Sequence, residues 1–180
     1  MRRMGLPIFA VLALPTMAIA QGYSAPATGT KFVYGVYEGG EVPIVTETIS
    51  VLGSDDTSFV GMVEHHEYGS YMARYTYGAT SLHCDGGYNP FLDGIDAIWP
   101  FAPGKAADSG AFFVIGKDVD YWLDGKTYDT WAIREFTEHG STWVTRVSPD
   151  LGIHVDDLVS VEKGAVPNVD VSAIKACLAL

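Results

Sequence analysis

The sequence predicts a mainly β fold, an antiparallel meander curled into a half-barrel or small barrel, with a short C-terminal helix. Three observations predict it. Apolar and β-branched residues recur with period two over most of the chain. Gly, Pro, Asn and Asp interrupt the pattern at short intervals, so neighbouring runs are joined by turns and pair antiparallel. Strands and helices do not alternate, which argues against a parallel sheet built from βαβ units.

Residues Gln21 to Thr30 are small, polar and Pro-containing, and read as a flexible lead-in. Lys31–Tyr37 is the first strand, with Phe32, Tyr34 and Val36 on one face. Ile44–Val51 is β-branched almost throughout. Gly53-Ser54-Asp55-Asp56 is a turn, and Ser58–His66 follows as a strand. Ser70–Tyr77 sets Tyr71, Ala73, Tyr75 and Tyr77 on a single face. Thr80–Cys84 is a short strand. Asp85 to Lys105 is rich in Gly, Pro, Asn and Asp and reads as a long loop. It carries Phe91, Ile95, Ile98, Trp99 and Phe101, so it must pack on something.

Ala111–Ile115 is the next strand. Val119–Leu123 and Lys126–Phe136 flank Asp124-Gly125, the best local hairpin signal in the chain, because a type I′ turn needs positive φ. His139-Gly140 leads into Thr142–Ser148, and Ser148-Pro149-Asp150-Leu151-Gly152 is a turn before Ile153–Glu162. Val171, Ile174 and Leu178 then recur at helical spacing, with Asp170 as a candidate N-cap. The expected total is about nine strands in one domain over residues 31–180.

The chain has 180 residues, 48% of them hydrophobic, which suffices for one core of ordinary size. There are 22 acidic residues against 11 Lys plus Arg. That balance repels phosphates, so nucleic acid is not an expected partner. The first twenty residues read as a signal peptide. Arg2 and Arg3 form a positive start, Leu6 to Leu14 is almost wholly apolar, and Ala18-Ile19-Ala20 fits a small-x-small cleavage site. The apolar run is too short to span a bilayer, and no later stretch is long enough. A mature chain from Gln21 would keep 9 basic against 22 acidic residues, a formal charge of −13. The expectation is an exported, acidic, periplasmic protein with no membrane span.

Cys84 and Cys177 are the two cysteines. In an exported chain an even count suggests a disulfide, which would tie the C-terminal segment to the middle of the domain. Two unrelated buried thiols are the alternative. No CxxC is present, which argues against a redox catalyst.

Two groups of residues bear on function. Glu64-His65-His66-Glu67 offers imidazole and carboxylate to a metal such as zinc or copper. On a strand, Glu64 and His66 would share one face, with His65 and Glu67 on the other. His65 and His66, with His83 from the strand after next, form the candidate metal set, set against a plain polar strand end entering a turn. The order is not HExxH, which needs a helix. The second group is aromatic. Tyr71, Tyr75, Trp122, Trp131 and Trp143 are the candidate ligand-lining set. Their alternative role is core, since aromatics favour strands and pair across them. No GxSxG and no phosphate-binding Gly pattern is present, and no motif implies a cofactor or a catalytic residue.

Ile98-Trp99-Pro100-Phe101, Gly104-Lys105, Asp124-Gly125-Lys126-Thr127-Tyr128-Asp129-Thr130-Trp131 and Val147-Ser148-Pro149-Asp150-Leu151-Gly152 resemble segments of uncharacterised periplasmic antiparallel β-meander proteins of Gram-negative bacteria. Those proteins have a curved sheet like that of lipoprotein-carrier-like proteins. The resemblance spans about a third of the chain, from Ile98 to Val155. It implies fold and compartment, and no reaction. The expected function is therefore an exported, non-enzymatic β-domain that binds an apolar small molecule or an envelope partner. Two alternatives stand beside it. One is a metal-binding protein or metal-dependent hydrolase using His65, His66 and His83. The other is a structural or inhibitory partner-binding domain, which would show an exposed apolar patch or strand edge in place of a pocket.

Overall fold

The computed structural model describes residues 22–78, 80–85, 95–136 and 142–180. The signal-peptide expectation, Phe91 and the His139-Gly140 turn lie outside them. Within them the chain is mainly β, as the sequence predicts, with antiparallel pairing throughout and open sheets. No helix among the described residues is long and apolar enough to cross a membrane.

The strands are β1 (Thr30–Val36), β2 (Val45–Ser54), β3 (Ser58–His65), β4 (Gly69–Thr76), β5 (Thr80–His83), β6 (Phe112–Lys117), β7 (Tyr121–Leu123), β8 (Lys126–Tyr128), β9 (Trp131–Phe136), β10 (Thr142–Ser148), β11 (Ile153–His154) and β12 (Leu158–Lys163). Helix α1 is Ile95–Ile98 and α2 is Val171–Leu178. The first sheet has the order β12-β1-β2-β3-β4-β5, a five-strand meander with the last strand returned to its edge. The second has the order β11-β10-β9-β6, and β7-β8 stands apart as a hairpin.

Two of the ten runs that read as single strands each divide between sheets, which gives the twelve strands described. In 126–136, the first three residues complete the Asp124-Gly125 hairpin, where both turn residues have positive φ. The chain then turns at Thr130, whose buried hydroxyl donates to the carbonyl of Val119, and Trp131 onward joins the second sheet. In 153–162, the break is Asp157 at φ 59°, before which the chain pairs with β10 and after which it pairs with β1. These divided runs couple the two sheets.

Three apolar clusters follow. On one face of the first sheet, Phe32, Tyr34, Ile49, Val51, Phe59, Val63, Ala73 and Tyr75 are covered by Leu123 and Tyr121 of the hairpin and by Ile153 and Val155. On its other face α2 packs through Cys177, Ile174 and Leu178 against Leu52, Val60, Met62 and Met72. Asp170 caps this helix, its carboxylate accepting from the Ser172 amide at 2.9 Å. Cys84 and Cys177 are bonded, with Cα atoms 5.2 Å apart, so the helix is tied to the end of β5. The second sheet buries Phe112, Val114, Ile133 and Val147 under Ile98 of α1, Phe101 and Ala107. The long loop thus supplies the cover that its apolar content demands.

The segment expected to be a loose lead-in is held. The Tyr23 hydroxyl donates to the Gly152 carbonyl at 3.2 Å, the Ser24 amide donates to the Pro149 carbonyl at 3.0 Å, and Pro26 is buried. A Cβ on Gly152 would lie 2.3 Å from the Ser24 carbonyl oxygen, so only glycine permits this crossing.

Candidate functional site

The two candidate sets meet the structure differently. Of the aromatic set, Tyr75 is buried in the first core, stacked on Phe59 at 4.8 Å. Tyr71 is half-buried on the same face and stacks on His83 at 4.2 Å. Trp131 packs against the second core, 6.2 Å from the ring of Phe101. Trp122 and Trp143 are 69% and 65% exposed. The five side chains are therefore spread over two cores and the surface.

The hairpin explains Trp122. Tyr121 and Leu123 both face the first core, and alternation then turns Trp122 outward, opposite Thr127. Val119 beside it is 73% exposed. Trp143 is placed by register. Phe112, Glu135 and Trp143 form one cross-strand row over β6, β9 and β10, on the face that carries Ile133 and Val147. The Glu135 carboxyl sits among apolar neighbours, and burial pushes it up from 4.5 to about 7.

The histidines converge in part. β3 ends at His65, so His66 already belongs to the turn, and the strict alternation expected for residues 64–67 stops there. Both imidazoles come to one side and stack, with ring centroids 5.0 Å apart. Both face Glu47 on β2. The His65 Nε2 lies 3.3 Å from Glu47 Oε1, and the His66 Nδ1 contacts the same oxygen. The His66 amide donates to it as well, at 3.3 Å. On the far side of the His66 ring, Nε2 lies 3.7 Å from Glu67 Oε1. The His65 Nδ1 accepts from the amides of Glu67 at 3.1 Å and Tyr68 at 3.4 Å. The ligand-type atoms of Glu47, His65 and His66 all fall within 4.8 Å of one another.

His83 does not join this group. It lies on β5, and Tyr71 stacks upon it. Burial first, then the charge of Glu47, raises the Tyr71 hydroxyl above its ordinary value. Glu64, the other nearby carboxylate, turns to the opposite face and accepts from the Thr48 hydroxyl at 2.8 Å.

Glu47 is the residue that local sequence spacing does not reveal. It arrives through the β2–β3 hairpin. Ser54 pairs with Phe59, and that register carried down unbroken would set Glu47 opposite His66. A bulge between Val51 and Gly53 shifts the ladder by one residue. Beyond the pair Thr48–Glu64, Glu47 then comes opposite His65. On its other side Glu47 pairs with Tyr34 of β1. The group therefore stands at the end of the face that holds the first core. No family model matches the chain, and neither a curated protein nor a solved structure is significantly similar to it.

Proposed function

We propose that this protein is an exported, non-enzymatic binding domain of the Gram-negative periplasm, and that it binds an envelope protein through the hairpin carrying Trp122. The observation that carries this reading is the exposure of Trp122, at 69%. Burying Tyr121 and Leu123 accounts for the hairpin, while the indole on its opposite face stands largely in solvent. Tryptophan is strongly enriched among residues that dominate binding energy at protein interfaces.

Charge defines the partner. Asp120 and Asp124 are exposed on either side of Trp122, and the mature chain would carry a formal charge of −13 with 9 basic and 22 acidic residues. Such a surface steers towards a basic, apolar-centred patch. The leader-like first twenty residues and the resemblance to envelope β-meander proteins support the compartment, as does the disulfide. An apolar small molecule is the weaker form of the reading, because the face that would cup it is filled by Leu123, Ile153 and Val155.

The test places a photo-crosslinking amino acid at position 122 in the cells that produce the protein, with position 171 as an exposed control. One discrete protein adduct at 122, reduced by Asp120→Lys with Asp124→Lys, is expected. Equal labelling at both positions, or none at 122, overturns the reading. Mature protein that begins elsewhere than Gln21, or remains in the cytoplasm, overturns the compartment.

A further inference from the structure

The group at the end of the first core is built from donors that suit a transition metal. It offers two imidazole nitrogens and one carboxylate oxygen, a set that favours zinc or copper over magnesium or calcium. The spacing fits. Ligand atoms around a tetrahedral ion with bonds of about 2.0–2.1 Å stand about 3.3 Å apart. Glu47 Oε1 and His65 Nε2 are 3.3 Å apart. The Glu47 and His65 side chains retain 20% exposure and His66 33%, so the ion would be reachable and a water could complete its shell.

A second relationship supports ligation by His66. Its Nδ1 faces Glu47 while its Nε2 faces the Glu67 carboxylate at 3.7 Å. Ligation at Nδ1, in place of its hydrogen bond to Glu47, leaves the ring proton on Nε2, and a small turn of the exposed Glu67 side chain, at present beyond hydrogen-bond distance, would bring its carboxylate to that proton. This is the outer-shell arrangement that orients metal-bound histidines.

We propose that Glu47 Oε1, His65 Nε2 and His66 Nδ1 bind one divalent zinc or copper ion, with the fourth position open to water. His83, stacked under Tyr71, takes no part. Ion-free, the His65 Nδ1 accepts from the amides of Glu67 and Tyr68, so the ring proton sits on Nε2 towards Glu47. Ligation through Nε2 moves that proton to Nδ1, where it opposes the two amide donors. The 66–68 turn must then release them. The site therefore has a signature beyond uptake of an ion: the Glu67 and Tyr68 amides change environment when it fills.

The experiment uses the full secreted chain, disulfide intact and without a His-tag. Zinc and copper are each titrated by calorimetry, with magnesium as control. In parallel, amide resonances are followed in nitrogen-15-labelled protein. One equivalent of zinc or copper is expected to bind, with the largest shifts at residues 65–68 and at Glu47. Glu47→Gln and His66→Ala should each weaken binding at least about tenfold. His83→Ala should leave it unchanged. Absence of stoichiometric uptake overturns the proposal, as does equal loss in His83→Ala. Should His66→Ala misfold, the near-isosteric Glu47→Gln and the wild-type shift map decide alone: shifts away from the 65–68 turn overturn it. None of these outcomes bears on the Trp122 interface.

Discussion

Tyr34 and His154 hold each other twice. Their rings stack at 4.8 Å with planes 21° apart, and the Tyr34 hydroxyl donates to the His154 carbonyl at 3.0 Å. Tyr34 lies on β1 and His154 on β11, so this pair joins the two sheets beside the divided run 153–162. The contact keeps an ionisable ring inside an aromatic group that continues to Tyr75.

That burial has a pH consequence. It pushes the His154 imidazole down from 6.5 to about 4, against a smaller opposing pull from Asp156. Between those values the unfolded chain holds one proton that the folded chain does not. The stability contributed by neutral His154 is whole above pH 6.5 and falls as pH drops towards 4, by up to about 1.4 kcal/mol per pH unit. His154→Phe keeps a ring in place and removes this term. Urea unfolding at pH 4.5, 5.5 and 6.5 should show the variant losing less stability than wild type on acidification. Parallel lines for the two proteins would contradict the burial argument.

Glu135 works in the opposite direction. Its carboxyl is raised to about 7 by burial, so the folded chain holds the extra proton between pH 4.5 and 7. Its contribution is whole below pH 4.5 and is lost as pH rises through 7. Across pH 4.5–6.5 the two residues oppose each other, and their combined slope is shallow. Glu135→Gln removes one side of this balance. The same urea series should then show stability rising with pH more steeply than in wild type. A slope that stays the same or becomes shallower would show that Glu135 is ionised on its sheet at neutral pH.

The Cys84–Cys177 bond spans 93 residues and holds α2 on the outer face of the first sheet. A loop of that length corresponds to about 4–5 kcal/mol in the chain-entropy account. Cys84→Ser with Cys177→Ser should lower unfolding stability by a few kcal/mol, and hydrogen exchange should find α2 the first element to open. Full protection of α2 in the double variant would mean that Ile174 and Leu178 suffice to hold it.

The facing of the first-sheet strands β1 and β4 was legible in the sequence, and the cover over that face was not. Alternation puts Tyr71, Ala73 and Tyr75 on one side, where they are found. Tyr77 departs because β4 stops at Thr76, and its φ of 50° turns the ring towards Trp99, stacked at 4.6 Å. Period two also says that Trp122 opposes Tyr121 and Leu123, yet only the position of the hairpin over the first core decides which side is wet. The metal-type group shows the same limit twice. The pattern of residues 64–67 assumes that the strand continues, whereas it ends at His65. The partner carboxylate depends on a one-residue bulge near Leu52, which no local motif marks.

Gly152 gives the sharpest test of the packing that holds residues 22–29. Its φ is +71°, and a Cβ there would meet the Ser24 oxygen at 2.3 Å and the Pro26 Cδ at 2.8 Å. Gly125, at φ +78°, has nothing within 4 Å of its would-be Cβ. Both alanine substitutions carry the positive-φ penalty, of order 1–3 kcal/mol. Only Gly152→Ala adds a collision with backbone. It should therefore cost at least about 1 kcal/mol more than Gly125→Ala in urea unfolding, on the scale of an overpacked contact. It should also free Tyr23 from Tyr77 and Trp99, which its ring meets edge-on at 5.5 and 6.0 Å. Proteolysis should then cut within residues 22–29 in Gly152→Ala before it does so in Gly125→Ala. Equal costs and equal cutting in the two variants would show that the segment moves aside freely, and that its contacts with the 149–152 turn contribute nothing to the fold.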